Sequence, residues 1–184
     1  VDEVVQTEVM AGTNVKYSWD ATSRATLDAA DVFTGSDLNK AYTELQAKNA
    51  PMVDGYYVAI VHPHVVYDLK NDTSATGFLE ASKYVTPEKM IKGEIGALNG
   101  VRIVVGPNVK TFSSTVTVYP TLVMGRGAYG VPTLNNMQSF ITPRAASDSD
   151  PLAQRVKVGA KVAFVAKRLQ ENAMVRYESA TSFA

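Results

Sequence analysis

Residues 54–69 read DGYYVAIVHPHVVYDL, and this stretch places a buried strand directly before a short helix. Tyr56–Val61 is wholly apolar and consists mainly of aromatic and β-branched residues, which predicts a strand covered on both faces. His62-Pro63-His64 stops that strand. The proline suits the first turn of a helix, because its missing N–H would be unpaired there in any case. We therefore expect a short helix over residues 65–70.

A longer helix precedes this unit. Thr34 and Asp37 form a capping-box-like start. From Leu38 to Leu45, apolar residues then recur at the spacing of one helix face, which predicts a helix over 34–49 with a core-facing stripe. Further upstream, valines at helical spacing followed by Gly12 predict a helix that ends there. A short strand is expected over 16–19.

The chain downstream is expected to mix helices and strands. Residues 75–84 are interpreted as a helix, and a second helix is expected to start at Thr86. Residues 101–105 are predicted to form a strand. Residues 115–124 are rich in β-formers, and Pro120 within them favours an edge strand or a bulge, because proline cannot donate to a sheet ladder.

The C-terminal segment shows the clearest strand pattern. Apolar residues occupy every second position from Val156 to Phe164 and alternate mainly with polar ones, which is typical of a strand with one apolar face. Residues 170–172 can turn the chain and residues 174–178 can return, so we expect a long two-stranded ribbon within 155–178. Helices and strands follow one another without a regular βαβ order, which favours the α+β class.

Composition excludes several kinds of chemistry. The 184 residues contain no cysteine, which removes disulfides, thiolate nucleophiles and cysteine-ligated zinc. No apolar run approaches the roughly 18 residues of a membrane span, so no membrane partner is expected. No basic cluster is dense enough to predict specific nucleic-acid binding.

The net charge is zero but is unevenly distributed. Residues 1–50 carry four basic and eight acidic side chains, whereas residues 144–184 carry seven basic and four acidic ones. Opposite ends of this kind could favour head-to-tail association between copies. Ordinary solvated surfaces with a chance asymmetry also explain the pattern and are the simpler interpretation.

The stretch GRGAYG at Gly125–Gly130 matches GxGxxG but lacks the context of a dinucleotide site. Such a site needs a helix N-terminus next, whose free N–H groups hold the pyrophosphate. Here Val131-Pro132-Thr133 follows, which predicts extended chain or a turn. No acidic residue stands about 20 residues further on in a second strand. A glycine-rich turn is therefore favoured over a nucleotide site.

His62 and His64 are the only histidines in the chain. A metal ion there would need a further ligand, for which Asp68 and Asp72 are the local candidates. Histidine-proline-histidine at a strand end is not a recognised ligand spacing. A capping or packing role is therefore favoured.

Nucleophilic catalysis and cation binding have little support elsewhere. Ser139 has no base partner identifiable from the sequence. Asp148 and Asp150 form a DxD pair that could touch a divalent cation, although a Ser/Asp/Pro loop explains them more simply. We predict no catalytic, cofactor-binding or metal-binding residues, and no enzyme.

Three stretches together carry a family resemblance. They are residues 54–69 quoted above, GEIGALNGVRIVV at 93–105, and DSDPLAQRVKVGAK at 148–161, which runs on to AMVRYE at 173–178. In this order and spacing they resemble the major capsid proteins of tailed phages, in the branch typified by the coat protein of phage N-four. The resemblance covers most of the chain. No single motif is diagnostic, but the ordered set is fairly specific.

The resemblance implies the Hong Kong 97-type capsid fold. That fold has a peripheral lobe, with a spine helix and long strands, and an axial lobe around a central sheet. Residues 1–49 and 143–184 are expected in the peripheral lobe and residues 50–142 in the axial lobe. The implied function is that of a structural subunit of an icosahedral phage or prophage capsid, whose copies form pentamers and hexamers that enclose DNA.

The resemblance also implies partners and a location. The partners are other copies of the chain, a scaffolding or decoration protein, and packaged DNA bound without sequence specificity. The location is the virion, and the cytoplasm of the bacterial host during assembly. Members of the family carry an N-terminal arm and an extended loop before the spine helix. Because the helix at Val1 begins without an N-cap, we interpret the chain as lacking that N-terminal part.

Two other functions stay open at this point. One is the shell subunit of an encapsulin-type protein nanocompartment, which has the same fold. The other, from a different class, is a small nucleotide- or metal-dependent enzyme that uses the Gly125–Gly130 turn or the pair His62 and His64.

Overall fold

The computed structural model describes residues 2–74, 77, 96–143, 146 and 152–183. The helices of this part are α1 (Asp2–Met10), α2 (Gly35–Ala47) and α3 (Pro63–Asn71). The strands are β1 (Val15–Tyr17), β2 (Tyr57–Val61), β3 (Ala97–Leu98), β4 (Val101–Val105), β5 (Phe112–Ser113), β6 (Thr117–Met124), β7 (Tyr129–Gly130), β8 (Thr133–Thr142), β9 (Lys157–Phe164), β10 (Lys167–Arg168) and β11 (Met174–Ser179). Single turns of 3-10 helix lie at Arg24–Thr26 and Glu171–Ala173.

A seven-stranded mixed sheet forms the centre of the fold. Its order is β1-β11-β6-β2-β4-β3, and β5 pairs with the start of β6. β1 runs parallel to β11 and β2 runs parallel to β4, while the remaining neighbours are antiparallel. A mixed sheet with helices packed on it confirms the predicted α+β class. The sheet takes strands from both of the ranges that we assigned to separate lobes.

The strand-helix unit at residues 54–69 folds as predicted. Tyr57, Ala59 and Val61 of β2 are buried on one face, and the residues between them are half-buried on the other. α3 begins at Pro63, which lacks the N–H that a first helical position cannot pair. A parallel neighbour on one side and an antiparallel one on the other cover both edges of β2.

α2 covers the face of the sheet on which Tyr57 lies. The backbone N–H of Thr34 donates to the Asp37 carboxylate at 3.4 Å, as the capping-box motif predicts. Leu38, Ala41 and Leu45 are fully buried in the core. The Tyr42 ring packs edge-on against the Tyr57 ring, with 5.5 Å between their centroids.

α1 lies over the opposite face of the sheet. Val5 and Val9 of this helix line a cavity of about 270 Å³ together with Ile60, Leu122 and Met124 of the strands. Since successive strand residues point to opposite faces, these strand residues alternate with those packed under α2. The predicted helix over residues 1–12 is therefore present, and it closes the second side of the core.

The prediction that the strand at 156–164 pairs with the strand at 174–178 is wrong. β9 is a strand, but it pairs with β8, which the sequence did not predict, and β11 instead lies between β1 and β6. The turn predicted at 170–172 is close to the observed 3-10 turn. The physical reason lies in burial: β11 is buried at five of its six positions, whereas Lys157 and Lys161 keep β9 at the surface.

Pro120 does not mark an edge strand, because β6 lies inside the sheet. Pairing of β6 with β2 covers only Leu122 to Met124, and pairing with β5 covers only Thr117 and Val118. At Pro120 the strand therefore has a sheet partner on the β11 side alone, where Glu178 stands opposite. A missing N–H is tolerated at such a gap between two neighbours.

The remaining predictions concern individual helices and strands. The strands expected at 16–19 and 101–105 are β1 and β4. The helix expected over 75–84 and the helix start at Thr86 lie outside the described residues, apart from 77. Within the described part, no helix has the length and apolar character needed to cross a membrane.

Candidate functional site: an exposed two-stranded ribbon

His62 and His64 are used to start and anchor a helix. Nδ1 of His62 accepts the backbone N–H of His64 at 3.2 Å, so His62 is the N-cap of α3. Nδ1 of His64 lies 3.0 Å from the hydroxyl of Tyr119. Burial and the neighbouring His64 lower the pKa of His62, which favours the neutral ring that this cap requires. The capping and packing interpretation is confirmed.

The acidic candidates beside the histidines are likewise used by the fold. Buried Asp68 accepts the backbone N–H of Ser182 at 3.2 Å and also the Ser182 hydroxyl. Asp72 accepts the N–H of Gly35 at 2.8 Å and that of Ser74 at 2.9 Å. Burial alone would raise the pKa of Asp72, but these hydrogen bonds outweigh it and lower the pKa. In the described part of the chain, no three acidic or histidine side chains are arranged to hold a metal ion.

The Gly125–Gly130 stretch leads into a strand. The Gly125 N–H donates to the Ala173 carbonyl at 2.8 Å, and the next N–H donates to the Pro51 carbonyl at 2.7 Å. A Cβ on Gly125 would lie 2.5 Å from that Pro51 oxygen, so only glycine fits. The stretch ends in β7, which pairs with β10. The glycine-rich turn is confirmed, and the helix that a dinucleotide site requires does not follow it.

The remaining candidate residues are Ser139, Asp148 and Asp150. Ser139 lies in β8 opposite Ala160, and within the described residues no base is hydrogen-bonded to it. Asp148 and Asp150 lie outside the described residues.

An exposed ribbon is the candidate functional site. We define the ribbon as β8 and β9, which form a separate two-stranded sheet. All residues of β8 are exposed, and side chains as apolar as Leu134 and Val158 are 84% and 74% accessible. A lone two-stranded sheet is marginally stable in water, and clustered exposed apolar side chains mark interaction sites. The ribbon therefore has the properties of a surface that a partner covers.

The first face of the ribbon is apolar. Register pairs Ile141 with Val158 and Ser139 with Ala160, so these residues share one face, and Val162 continues it along β9. We call this the apolar face. Ile141 is 68% exposed and Val158 opposite it is 74% exposed, so the described part of the same chain leaves this end of the face largely uncovered.

The second face is basic. Phe140 stands opposite Gly159, and Lys157 and Lys161 lie two residues away on either side of that glycine. We call this the basic face. The Phe140 ring is 54% exposed, and a Cβ built on Gly159 would meet no heavy atom within 4 Å. The basic face therefore has an exposed aromatic ring next to open space above Gly159, and a lysine lies on either side of that glycine.

A second exposed feature lies far away in sequence, after β1. We define the Trp19 turn as residues 18–21, closed by the Ala21 N–H donating to the Ser18 carbonyl at 3.4 Å. The Trp19 side chain is 74% exposed, and its backbone has a φ of 57°. That left-handed conformation is unusual for a bulky residue and often marks a functional position.

Neither β8 nor the Trp19 turn was predicted from the sequence. The pairing of β8 with β9 is irregular between Thr133 and Gln138, so the period-two alternation that identifies a strand is absent there. β9 has the regular alternation of apolar and polar residues, so the sequence predicted it as a strand. The exposure of a single tryptophan has no signal in the sequence, because it depends on what the rest of the fold leaves uncovered.

Comparison with known proteins connects this fold to phage capsids. A family model described as phage capsid protein matches residues 1–177. The chain superposes on the solved capsid protein of cyanophage Pam1 with a TM-score of 0.71 and 16% identity, over 93% of this chain and 55% of that one. For Helicobacter pylori bacteriophage KHP30 the TM-score is 0.67 with 11% identity, over 98% and 65% of the two chains. For cyanophage P-SCSP1u it is 0.65 with 16% identity, over 98% and 62%.

These matches establish the fold and the family. The chain spans a little more than half to two thirds of the length of these capsid proteins. A search of curated proteins found no match. The solved structures confirm the expected Hong Kong 97-type capsid fold, and the family match covers nearly the whole sequence. The chain belongs to the phage capsid protein family, a family of structural proteins rather than enzymes.

Proposed function

We propose that the protein is a structural subunit of an icosahedral phage or prophage capsid, whose copies associate into pentamers and hexamers that enclose DNA. The observation that carries this proposal is the exposed ribbon. A structural subunit needs self-complementary surfaces rather than side chains with tuned pKa values, and the candidate polar residues are used by the fold. The family match is to phage capsid proteins, which favours a phage shell over an encapsulin-type compartment.

The ribbon is suited to contact through its faces rather than its edges. Lys157 and Lys161 lie on β9, and irregular pairing interrupts β8 between Thr133 and Gln138. Edge lysines and bulges are devices that prevent strand edges from pairing with other chains. The apolar face has no such protection, so it is the part of the ribbon that we assign to burial between copies.

The proposal extends to the surroundings of the subunit. A virion location follows from membership of a capsid family. We also propose the host cytoplasm as the place of assembly, a scaffolding or decoration protein as a further partner, and weak DNA contacts without sequence specificity. A zero net charge supports weak contacts, because phosphate binding depends on many cationic side chains.

We also propose the two-part organisation of the subunit, with residues 1–49 and 143–184 in a peripheral lobe and residues 50–142 in an axial lobe. The family resemblance supports this division. The strand pairing does not follow it, because β8 and β9 of the ribbon lie on either side of the boundary after residue 142 and the seven-stranded sheet takes strands from both ranges. Segmental isotope labelling with hydrogen exchange would test whether the two ranges unfold as separate units.

The self-association of the chain can be tested by sedimentation velocity and negative-stain microscopy over a range of concentrations. The wild-type chain is expected to form discrete oligomers or closed shells. Ile141→Lys places a charge on the apolar face and is expected to weaken association at least tenfold, because an apolar contact between copies would be replaced by a buried charge. Val4→Lys, at an exposed position of α1, serves as the control.

One result would overturn the proposed function. If the folded wild-type chain stays monomeric at every concentration and salt condition, the ribbon is not a self-association surface. Circular dichroism on the same samples establishes that each protein is folded.

A further inference from the structure

The Trp19 turn and the basic face of the ribbon are complementary in chemistry. The turn presents an exposed indole, and the next residue, Asp20, is also exposed. The basic face presents the exposed Phe140 ring between Lys157 and Lys161. One surface therefore offers an aromatic ring and an anion, and the other offers an aromatic ring and two cations.

The turn is held in a fixed position on the body of the fold. The backbone N–H of Ser18 donates to the Glu178 carbonyl at 3.1 Å, and Ser18 itself is fully buried. Glu178 in turn accepts from Nε of Arg24 at 2.7 Å. These contacts hold both the start of the turn and the segment that follows it. A preorganised turn loses little conformational entropy when its tryptophan is buried against a partner.

The basic face has room for an incoming ring. Gly159 has no side chain, and the space above it is open, since a Cβ there would meet nothing within 4 Å. Phe140 lies opposite that glycine across the strand pair. An indole placed over the glycine would lie beside the Phe140 ring, which is the arrangement that aromatic pairs favour. Lys157 and Lys161 lie two residues to either side of Gly159 on β9 and share its face.

Charge indicates which surface of a second copy fits the ribbon. Residues 131–143 and 152–166, which contain the ribbon, include no acidic side chain. Two such basic surfaces would repel each other, so ribbon against ribbon is disfavoured on this face. Residues 1–50 carry eight acidic and four basic side chains, and within the described residues the Asp20 carboxylate has no ion-pair partner. The exposed Asp20 carboxylate of one copy and the basic face of the ribbon of another are thus matched in charge.

We propose that the Trp19 turn of one copy docks on the basic face of the ribbon of a second copy. The Trp19 indole lies over Gly159 beside Phe140, and the Asp20 carboxylate lies between Lys157 and Lys161. The contact joins two different surfaces, so it repeats from copy to copy and can close into a ring. This inference rests on the proposed self-association and names the surfaces that carry one of its contacts.

Gly159→Val is the sharpest test, because its side chain fills the open space above residue 159 without disturbing the isolated subunit. The added side chain meets nothing in the same chain, and valine favours a strand. The variant is expected to keep the wild-type melting temperature and to associate at least tenfold more weakly by sedimentation velocity. Gly96→Val is the matched control, since Gly96 is equally open and lies outside the ribbon.

Trp19→Ala tests the other side of the contact. It removes an exposed side chain, so the fold is retained, and the same tenfold or greater loss of association is expected, because tryptophan is typical of interface hot spots. A mixture of Trp19→Ala and Gly159→Val chains is expected to associate more strongly than either variant alone. In that mixture the intact ribbon of the first accepts the intact turn of the second, which a merely misfolded variant could not do.

The outcomes separate this inference from the proposed function. If the wild-type chain associates while Trp19→Ala and Gly159→Val leave association unchanged, the docking contact is wrong and self-association stands. If Gly96→Val weakens association as much as Gly159→Val does, the assignment to the basic face is overturned. If the wild-type chain stays monomeric, both proposals fail together.

Discussion

His62 caps α3 only while its ring is neutral, because the nitrogen that accepts the N–H of His64 must carry no proton. The groups that face this ring are His64 and Tyr119, whose ring centroids lie 4.7 and 4.9 Å away. Neither supplies a negative charge that would stabilise a protonated His62. Burial and the neighbouring His64 lower its pKa below the ordinary value of 6.5.

A pH dependence of stability follows from this shift. Below pH 6.5 the unfolded chain takes up a proton at His62 more readily than the folded chain does. The free energy of unfolding therefore falls as the pH is lowered from 6.5 towards the folded-state pKa, and His62 contributes no such loss above that range. Urea unfolding at pH 7.5 and pH 5.5 is expected to show the lower stability at pH 5.5.

The variant His62→Asn tests whether the pH dependence comes from protonation of His62, because it keeps a capping side chain but removes the titrating group. Asparagine is a good N-cap and does not titrate, so the variant should fold and show a smaller difference between the two pH values. An equal loss of stability in the variant and the wild type would assign the pH dependence to other groups.

At the scale of an element, the β3–β4 hairpin depends on a close fit at its turn. Asn99 and Gly100 form its two-residue loop and have positive φ values of 51° and 76°. This is the conformation of the turn that asparagine-glycine favours in hairpins. A Cβ on Gly100 would lie 2.6 Å from the ring of Tyr42. That ring cannot readily move away, because it packs against Tyr57 in the core.

Gly100→Ala is expected to lower the free energy of unfolding by about 2 kcal/mol or more, since overpacking adds to the cost of a left-handed backbone. Gly55→Ala is the matched control. Gly55 also has a positive φ, of 81°, but has nothing within 4 Å of its would-be Cβ. The control should lose only about 1 kcal/mol. Equal losses in urea unfolding would show that contact with Tyr42 does not matter.

Elements differ in how far the sequence predicts them. α2, α3, β2 and β9 were predictable, because capping residues, a proline at a helix start and regular apolar spacing act within a few residues. β8 was not, since its irregular pairing with β9 removes the alternation. The partner of β9 was misassigned because β11, the next strand of more than two residues after it, is buried in the central sheet.

At the scale of the whole molecule, charge separation is expected to make self-association sensitive to salt. The chain has no net charge, yet its first 50 residues are acidic and the ribbon region is basic. At 0.5 M NaCl the Debye length is about 4 Å, against about 14 Å at 0.05 M. Association measured by sedimentation velocity should therefore weaken as NaCl is raised. Asp20→Asn should reduce that salt dependence.

The opposite result identifies a different contact. Association that is unchanged or stronger in high salt would mean that the apolar face of the ribbon carries the assembly alone, because burial of apolar surface does not depend on charge screening.

The sequence by itself determined the α+β class, most of the helices and strands, and the capsid family that its ordered motifs resemble. For His62 and the Gly125–Gly130 stretch, the sequence favoured a helix cap and a glycine-rich turn over metal or nucleotide chemistry, and it left that alternative open. The class and the elements rest on spacing and composition over short stretches, whereas the family rests on the resemblance of three ordered stretches to known capsid proteins. Only the tertiary structure decided that β11 joins the central sheet, that β8 and β9 form a separate ribbon, and that Trp19 is exposed. Burial and strand pairing depend on residues far apart in the chain, so no local pattern encodes which apolar side chains the finished fold leaves for a partner.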